Sequence, residues 1–312
     1  MKPKVIVICG PTASGKTSLS IELAKRIKGE IISCDSMQIY KDMTIGTAKP
    51  TVEEMDGIPH HLIDFVLPSE RYSVADFKKA ATQKIEEILS RNKIPIIVGG
   101  TGLYVDALVY NIEYLELETD LKYRQELENL IEQKGLEELY EKAKQIDEQA
   151  MQSISKNDKK RIMRVLEIYH QTGKTKTQLE AESRLTPPPY DYIVFAITMD
   201  REKLYERINR RVDIMIEQGL IEEVQSLVNK YKEFPTAMQG LGYKEVVEYI
   251  EGETTKEEMI EKLKMETRRY AKRQFTWFNN QMKDIKWFDV NYDNFYETIK
   301  EVENYLGGLN EK

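Results

Sequence analysis

Four short apolar runs alternate with segments of helical spacing along this 312-residue chain. The runs have the length of β-strands and cover residues 5–8, 30–35, 94–98 and 192–197. Segments 18–28 and 73–90 lie between them, and the second places Phe77, Ala81 and Ile85 on one helical face. Because strands that alternate with helices form parallel sheets, the pattern predicts an α/β fold with a doubly wound parallel sheet.

The pattern changes between residues 113 and 185, where charged segments with helical spacing replace the apolar runs. Segments 122–136 and 158–171 are long examples of this kind. The prolines at 187–189 then end the helical pattern, since proline cannot continue a helix. We therefore expect a helical insertion domain at 113–185, within a core formed by residues 1–112 and 186–312.

A glycine-rich motif follows the first apolar run and opens the first predicted helix. It matches GxxxxGK[ST] and consists of Gly10, Pro11, Thr12, Ala13, Ser14, Gly15, Lys16 and Thr17. Backbone N–H groups, the positive end of the helix dipole and the lysine together form a cradle for two linked phosphates. Thr17 is placed to ligate a magnesium ion. The motif makes the predicted sheet P-loop NTPase-like, with flanking helices and the inserted helical subdomain.

Polar residues follow two other apolar runs. Asp35 ends the second run, and Thr101 follows the third within a glycine-rich turn. Ligands of open parallel sheets bind beyond the carboxyl ends of the strands, so both side chains are expected to face the phosphate loop. Asp35 fits either an active-site carboxylate or the N-cap of a helix. After the fourth run, one arginine among Arg207, Arg210 and Arg211 is placed to reach back to a phosphate.

The charge of the chain is unevenly distributed. The net charge of −7 argues against a general nucleic-acid binder, but segment 156–176 carries seven bases and two acids. Segment 262–273 carries six bases and one acid, and Trp277 follows it in the same predicted helix. Basic and aromatic residues along one helix suit RNA, although the basic runs also fit solvated helix surfaces and the aromatic residues also fit a core.

Several other classes of protein are excluded by the composition. No apolar stretch approaches the roughly 20 residues that span a bilayer, and the N-terminus has no secretory pattern, so we expect a cytoplasmic protein without a membrane partner. The two cysteines, Cys9 and Cys34, suit buried reduced thiols. The three histidines lack the spacing of metal ligands, and there is no Cys/His cluster.

Six motifs together resemble the bacterial tRNA dimethylallyltransferase family over roughly residues 4 to 290. They are the phosphate loop and segments 35–40, 45–50, 59–64, 99–104 and 271–274. The resemblance implies transfer of a dimethylallyl group from dimethylallyl diphosphate to the exocyclic N6 amine of the adenosine 3′-adjacent to the anticodon. The implied partners are the anticodon stem-loop of tRNA and the prenyl donor, the implied cofactor is Mg²⁺ bound at Thr17, and we expect a monomer.

The resemblance also implies roles for particular residues. Arg211 would clamp the diphosphate, Thr101 would hydrogen-bond the base or the diphosphate, and Asp35 would take the amine proton. The implied tRNA contacts are Asp35, Ser36, Met37, Gln38, Thr101, Arg124, Lys160, Arg161, Ile162, Met163, Arg164, Gln239, Gly240, Leu241, Gly242, Tyr243, Lys244, Lys272, Arg273, Gln274 and Trp277. Lys160 stands where the family commonly has Gln, and Val165 where it commonly has Ala.

Two functions of other classes remain open from the residues alone. A P-loop kinase of a small metabolite would share the phosphate loop and the strand-end Asp35, with arginines 207–211 as its lid. A nucleotide-switched RNA-binding protein would need only the phosphate loop and the basic segments. Consumption of ATP without RNA would favour the kinase, and RNA affinity without a product would favour the binding protein.

Overall fold

The computed structural model describes residues 2–114, 120–282 and 285–308. These residues form two compact units, one made of 1–106 with 189–312 and the other of 107–188. The elements are β1 (Lys4–Cys9), α1 (Lys16–Ile27), β2 (Gly29–Ser33), α2 (Val52–Met55), β3 (His60–His61), α3 (Val74–Ser90), β4 (Ile94–Val98), α4 (Gly102–Val109), α5 (Leu121–Lys134), α6 (Leu136–Ile146), α7 (Glu148–Met151), α8 (Lys159–Thr172), α9 (Lys176–Ser183), β5 (Asp191–Thr198), α10 (Arg201–Glu217), α11 (Leu220–Lys230), α12 (Tyr243–Ile250), α13 (Lys256–Gln281), β6 (Lys286–Asp289) and α14 (Phe295–Gly308).

The first unit is built on a six-stranded sheet in the order β3-β2-β4-β1-β5-β6. Every pairing is parallel, and the central strand β1 aligns Ile6 with Ile96 of β4 and with Ile193 of β5. The predicted parallel α/β sheet is therefore confirmed. Because parallel strands end at one edge, the turns after β1, β2 and β4 meet there.

The helices α1 and α14 pack on one apolar cluster of the sheet. Leu19 and Leu23 of α1, with Val302 of α14, join β-strand residues such as Ile8 and Phe195 in this core. Ser73 begins α3 with a reciprocal capping box, and the face predicted from sequence, with Phe77 and others, is buried. These contacts fix the sheet edge on which the phosphate loop sits.

A second apolar cluster lies under helices α10 to α13. Tyr243 of α12 and Leu220 of α11 are fully buried there, together with Tyr40 and Met43 from the segment that follows β2. The cluster therefore anchors the loop after β2 to the C-terminal helices. Cys9 and Cys34 are free, buried thiols, as the sequence predicts.

The second unit is helical and contains α5 to α9. Its core includes Leu127 of α5, Leu139 of α6 and Ile162 of α8. Asp158 caps α8 by accepting a hydrogen bond from the backbone N–H of Arg161, as its position before a helical pattern predicts. Across the described residues of both units, none of the helices combines the length and apolar character that a membrane span needs.

Candidate active site

The phosphate loop connects β1 to α1 through a tight turn. Gly10 has φ of 140°, and a Cβ there would lie 2.3 Å from the carbonyl oxygen of Ile197. Gly15 has φ of 96° immediately before α1 begins at Lys16. The N–H groups in the first turn of a helix have no intrahelical acceptor, so the amides of α1 that open this helix are free to bind an anion.

Two side chains show that the loop suits an anionic ligand. The hydroxyl oxygen of Ser14 is fully buried, and no described residue hydrogen-bonds to it. The Nζ of Lys16 donates to the carbonyl oxygens of Gly10 at 2.9 Å and Pro11 at 2.6 Å, which holds the ammonium group against the loop. The loop thus combines an unsatisfied buried hydroxyl, helix-terminal amides and a cation, the groups that hold a phosphate.

The electrostatics around Lys16 also favour an anion. Burial and, to a smaller extent, the positive charge of Arg211 lower the pKa of Lys16 to about 8, although Asp35 and Cys9 act in the opposite direction. Burial also lowers the pKa of Arg211, and the neighbouring Arg207 adds to this shift. Because these cations destabilise one another, a bound anion would relieve their repulsion.

Arg207 contacts the phosphate loop directly. Its Nε donates to the carbonyl oxygen of Ala13 at 3.0 Å, and Ala13 itself has a left-handed backbone with φ of 63°. Arg207 therefore reaches the phosphate loop, and the contact of an arginine of this helix with a phosphate stays a prediction. The clamp role of Arg211 stays a prediction, supported by its electrostatic effect on Lys16.

Asp35 and Thr101 tie two strand ends together. The Oδ1 of Asp35 accepts hydrogen bonds from the backbone N–H groups of Met37 at 2.8 Å and Gln38 at 3.2 Å, so this oxygen caps a turn. No described residue hydrogen-bonds to Oδ2, which leaves that oxygen available for chemistry. The hydroxyl of Thr101 accepts a hydrogen bond from the N–H of Ser36 at 3.1 Å. Asp35 therefore caps a turn and not a helix, and its role as an active-site carboxylate stays a prediction.

Gln274 of α13 links this region to the phosphate loop. Its side chain is buried, its Oε1 accepts from the N–H of Thr12 at 2.8 Å, and its Nε2 donates to the carbonyl oxygen of Gly100 at 2.9 Å. Both ends of the amide are thus bound to backbone inside the protein. A tRNA contact at Gln274 stays a prediction, whereas its role in joining two strand-end loops is directly visible.

Tyr270 is a site residue that the sequence reasoning missed. Burial raises the pKa of Tyr270 and the charge of Asp35 adds to this shift, whereas the nearby polar side chains of Gln274 and Thr101 act in the opposite direction. Tyr270 lies four residues before Gln274 in α13, and residues at that spacing share a helix face. That spacing from a motif residue is the signal that could have identified it.

A carboxylate from α11 holds the loop that follows β2. Glu223 accepts hydrogen bonds from the backbone N–H groups of Thr44 at 2.9 Å, Ile45 at 2.7 Å and Gly46 at 3.1 Å, and from the hydroxyl of Tyr243 at 2.7 Å. The side-chain amide of Gln38 donates to two carbonyl groups of the same loop. Sequence reasoning missed Glu223, because nothing in the pattern around it indicates this partner.

The tRNA contacts implied for the first unit divide by exposure. The exposed residues are Gln239, Lys244, Lys272, Arg273 and Trp277. Gly240, Gly242, Tyr243 and Gln274 are buried, whereas Asp35, Ser36, Met37, Gln38, Thr101 and Leu241 are half-buried. Trp277 packs on Gly102, where a Cβ would lie 2.2 Å from the indole ring. The buried side chains hold the site together, and the exposed ones are available to a ligand.

The implied tRNA contacts of the helical unit divide in the same way. Lys160 and Arg161 are exposed at the start of α8, whereas Ile162 and Met163 are buried in the core of this unit. The side chains of these two apolar residues pack the helix and do not reach the surface. Arg124 pairs with the buried Glu167 at 2.7 Å, and Arg164 lies 3.7 Å from the same carboxylate.

The described part of the chain contains no cluster of carboxylate, thiol or imidazole side chains that could bind a magnesium ion by itself. Among residues 2–114, 120–282 and 285–308, no three or more His, Cys, Asp or Glu side chains are grouped to hold a metal ion. Thr17 is exposed in the first turn of α1, beside the anion-binding amides. Its hydroxyl fits a Mg²⁺ ion whose other ligands are phosphate oxygens and water, the usual arrangement for this metal.

The parallel sheet and its phosphate loop define a protein with a P-loop NTPase-like fold. A family model described as IPP transferase matches residues 38–281. The tRNA dimethylallyltransferase of Acetivibrio thermocellus is 51% identical over 304 residues, with 97% of each chain covered. That of Halalkalibacterium halodurans is 48% identical over 313 residues, covering 100% of this chain and 99% of the relative.

Solved structures agree with these relatives. The full-length tRNA isopentenylpyrophosphate transferase from Bacillus halodurans has a TM-score of 0.73 and 45% identity, covering 98% of this chain and 96% of that chain. A eukaryotic dimethylallyltransferase acting on tRNA has a TM-score of 0.79 and 32% identity, covering 97% of this chain and 77% of its own. The chain belongs to the IPP transferase family, and the resemblance inferred from its motifs is confirmed.

Substitution of Glu223 by Gln tests the anchor of the loop at 44–46. The glutamine side chain replaces one carboxylate oxygen with an NH₂ group, which faces backbone N–H donors and cannot accept from them. We therefore expect the free energy of unfolding to fall by about 1–3 kcal/mol. Urea denaturation measures it. The neighbouring exposed Glu222, replaced by Gln, is the matched control and should change stability little. Equal effects of the two substitutions would contradict the anchoring role.

The lowered pKa of Lys16 predicts how anion binding depends on pH. Below about pH 8 the ammonium group is charged in the free protein, and above it the free protein loses this charge. Affinity for inorganic diphosphate should therefore fall as pH rises above about 8. Calorimetric titration of the parent and of Lys16→Met on both sides of that pH measures the effect. The titration of diphosphate itself affects both proteins equally, so identical pH profiles would contradict the prediction.

Proposed function

We propose that this chain transfers the dimethylallyl group from dimethylallyl diphosphate to the N6 amine of the adenosine 3′-adjacent to the anticodon of tRNA. The observation that carries the proposal is the meeting of a phosphate loop with Asp35 and Thr101 at one sheet edge, in a member of the IPP transferase family. The relatives named tRNA dimethylallyltransferase match nearly the full length of the chain.

The phosphate loop supplies the first part of the proposed chemistry. The bond between the allylic carbon and the bridging oxygen breaks, and its electron pair leaves with the diphosphate. Backbone amides of residues 13 and 15–17 and the Lys16 ammonium stabilise this charge, and Arg211 adds to them, whereas the N–H groups of Thr12 and Ser14 already have acceptors within the protein. The Thr17 hydroxyl would hold Mg²⁺ together with diphosphate oxygens, and the bound ion would neutralise further charge on the leaving group.

Asp35 supplies the second part. The N6 lone pair of adenine is delocalised into the ring, so the amine is a poor nucleophile until the allylic carbon gains cationic character. As the new carbon–nitrogen bond forms, the amine loses a proton, and Oδ2 of Asp35 is free to accept it. Because Oδ1 is bound to the N–H groups of Met37 and Gln38, the carboxylate is held in one orientation. Thr101, hydrogen-bonded to Ser36, lies beside it to position the base or the diphosphate.

Recognition of tRNA completes the proposal. The target adenosine must leave the stacked anticodon loop before its amine can react. The exposed cations of each unit, Lys160 and Arg161 in one and Lys272 and Arg273 in the other, are proposed phosphate contacts. A monomer suffices, since one chain supplies every residue of the proposed chemistry. The free buried cysteines suit a reducing compartment, and we propose the cytoplasm.

A direct assay tests the proposed reaction. The purified protein is incubated with Mg²⁺, dimethylallyl diphosphate and an anticodon stem-loop that carries adenosine next to the anticodon, and the RNA is weighed by mass spectrometry. A parallel sample contains ATP in place of the prenyl donor. We expect the mass gain of one prenyl unit on that adenosine only with the prenyl donor. Phosphoryl transfer from ATP without prenylation would overturn the proposal in favour of a kinase.

Substitution of Asp35 by Asn tests the proposed base. Asparagine retains an oxygen that can accept from the N–H groups of Met37 and Gln38, but it cannot take a proton from the amine. We therefore expect kcat to fall by on the order of 10²–10⁴ while tRNA affinity stays close to that of the parent. Single-turnover kinetics and filter binding measure the two quantities. Transfer at the parent's rate would show that another group takes the proton.

A further inference from the structure

Tyr292 lies at the opening of the phosphate loop, in the segment between β6 and α14. A Cβ built on Gly15 would lie 2.0 Å from the hydroxyl oxygen of Tyr292, so this oxygen directly faces the residue that precedes α1. The ring of Tyr292 stacks on the Arg207 guanidinium at 3.9 Å and on the ring of Phe295 at 5.8 Å. The position of the hydroxyl is therefore held by contacts on both sides.

The hydrogen bonds of Tyr292 leave its proton available. The Nη2 of Arg207 donates to the hydroxyl oxygen at 3.0 Å, and the Nε of the same arginine donates to the carbonyl oxygen of Ala13. Within the described part of the chain, no acceptor takes the proton of the Tyr292 hydroxyl. Since this hydroxyl lies against Gly15 at the N-terminus of α1, an anion in the loop is its natural acceptor.

We propose that Tyr292 helps to bind the prenyl donor, because its hydroxyl donates a hydrogen bond to the diphosphate of that substrate. Arg207 is the positioning residue that holds the hydroxyl in place. This inference rests on the proposed function, because it assigns a further contact to the same diphosphate. The charges of Arg207 and Arg211 also favour this role. Both act to lower the pKa of Tyr292, although burial has a larger effect in the opposite direction. The Arg207 contact further polarises the O–H bond and strengthens it as a donor.

The position of Tyr292 also places its hydroxyl beside the loop. Its hydroxyl lies against Gly15, and the Arg207 guanidinium on which its ring stacks is bonded to the carbonyl oxygen of Ala13. Tyr292 is 39% exposed, so its hydroxyl is accessible to a ligand that enters the loop. Loss of the hydroxyl should therefore reduce affinity for diphosphate more than affinity for tRNA.

Calorimetric titration of the full-length protein with inorganic diphosphate in the presence of Mg²⁺ tests the assignment. The variant Tyr292→Phe removes the hydroxyl and keeps the ring that stacks on Arg207. We expect its affinity for diphosphate to be about 10-fold weaker than that of the parent. Steady-state kinetics should show a matching rise in KM for dimethylallyl diphosphate with an unchanged KM for the tRNA stem-loop.

Tyr296 provides the matched control. It lies in the same C-terminal segment, is 64% exposed and contacts Arg26, so Tyr296→Phe should bind diphosphate like the parent. Equal or tighter binding by Tyr292→Phe would overturn the assignment, and tighter binding would mean that the hydroxyl obstructs the loop. A parent protein that does not bind diphosphate at all would overturn both this assignment and the proposed function.

Discussion

The side-chain amide of Gln274 is the interaction on which the geometry of the candidate site depends. It joins Thr12 in the phosphate loop to Gly100 in the turn after β4, two segments that meet only at the sheet edge. A buried amide costs free energy unless both of its ends are bonded, and here the backbone satisfies each end. Helix α13 is therefore held in one register over the loop, which places Tyr270 beside Thr101 and Trp277 on Gly102.

The second constraint is electrostatic. Lys16, Arg207 and Arg211 share the space around one glycine-rich loop, where the charge of Arg211 lowers the pKa of Lys16 and the charge of Arg207 lowers the pKa of Arg211. A fold that holds cations together in this way keeps an unfavourable arrangement in the free protein. In the proposed reaction, the same arrangement would stabilise the diphosphate as its negative charge increases, without any need for side chains to reorganise. Holding the cations together therefore lowers the stability of the free protein, and it provides a prearranged site for a leaving group.

Much of this architecture could be predicted from the sequence, and the rest could not for identifiable reasons. The four apolar runs are strands β1, β2, β4 and β5, because a strand buried on both faces is continuously apolar. Strand β3 has only two residues, and the edge strand β6 has only two apolar residues, Trp287 and Phe288, between two charged ones, so neither produces such a run. Local patterns report local structure, and these two strands depend on their neighbours in the sheet.

The site shows the same division. The phosphate loop and Asp35 can be predicted from the sequence because the residues that indicate their chemistry are adjacent in the chain. Glu223 does not, since its backbone partner Gly46 is 177 residues away in the chain. Tyr292 is similar, because the hydrogen bond that positions its hydroxyl comes from Arg207, 85 residues earlier in the chain. Contacts of this range follow from the packing of whole elements, and no short motif encodes them.

The residues implied as tRNA contacts are of two kinds, and the structure separates them. The side chain of Gln38 is bonded to backbone and that of Tyr243 to Glu223, so both preserve the shape of the loop after β2. Lys272, Arg273 and Trp277 present charge or an aromatic face at the surface of the same unit. A phosphate loop alone serves many chemistries, because it recognises only the leaving group. What makes this one suited to a nucleic-acid amine is the combination of an oriented carboxylate beside the loop with exposed cations on α13.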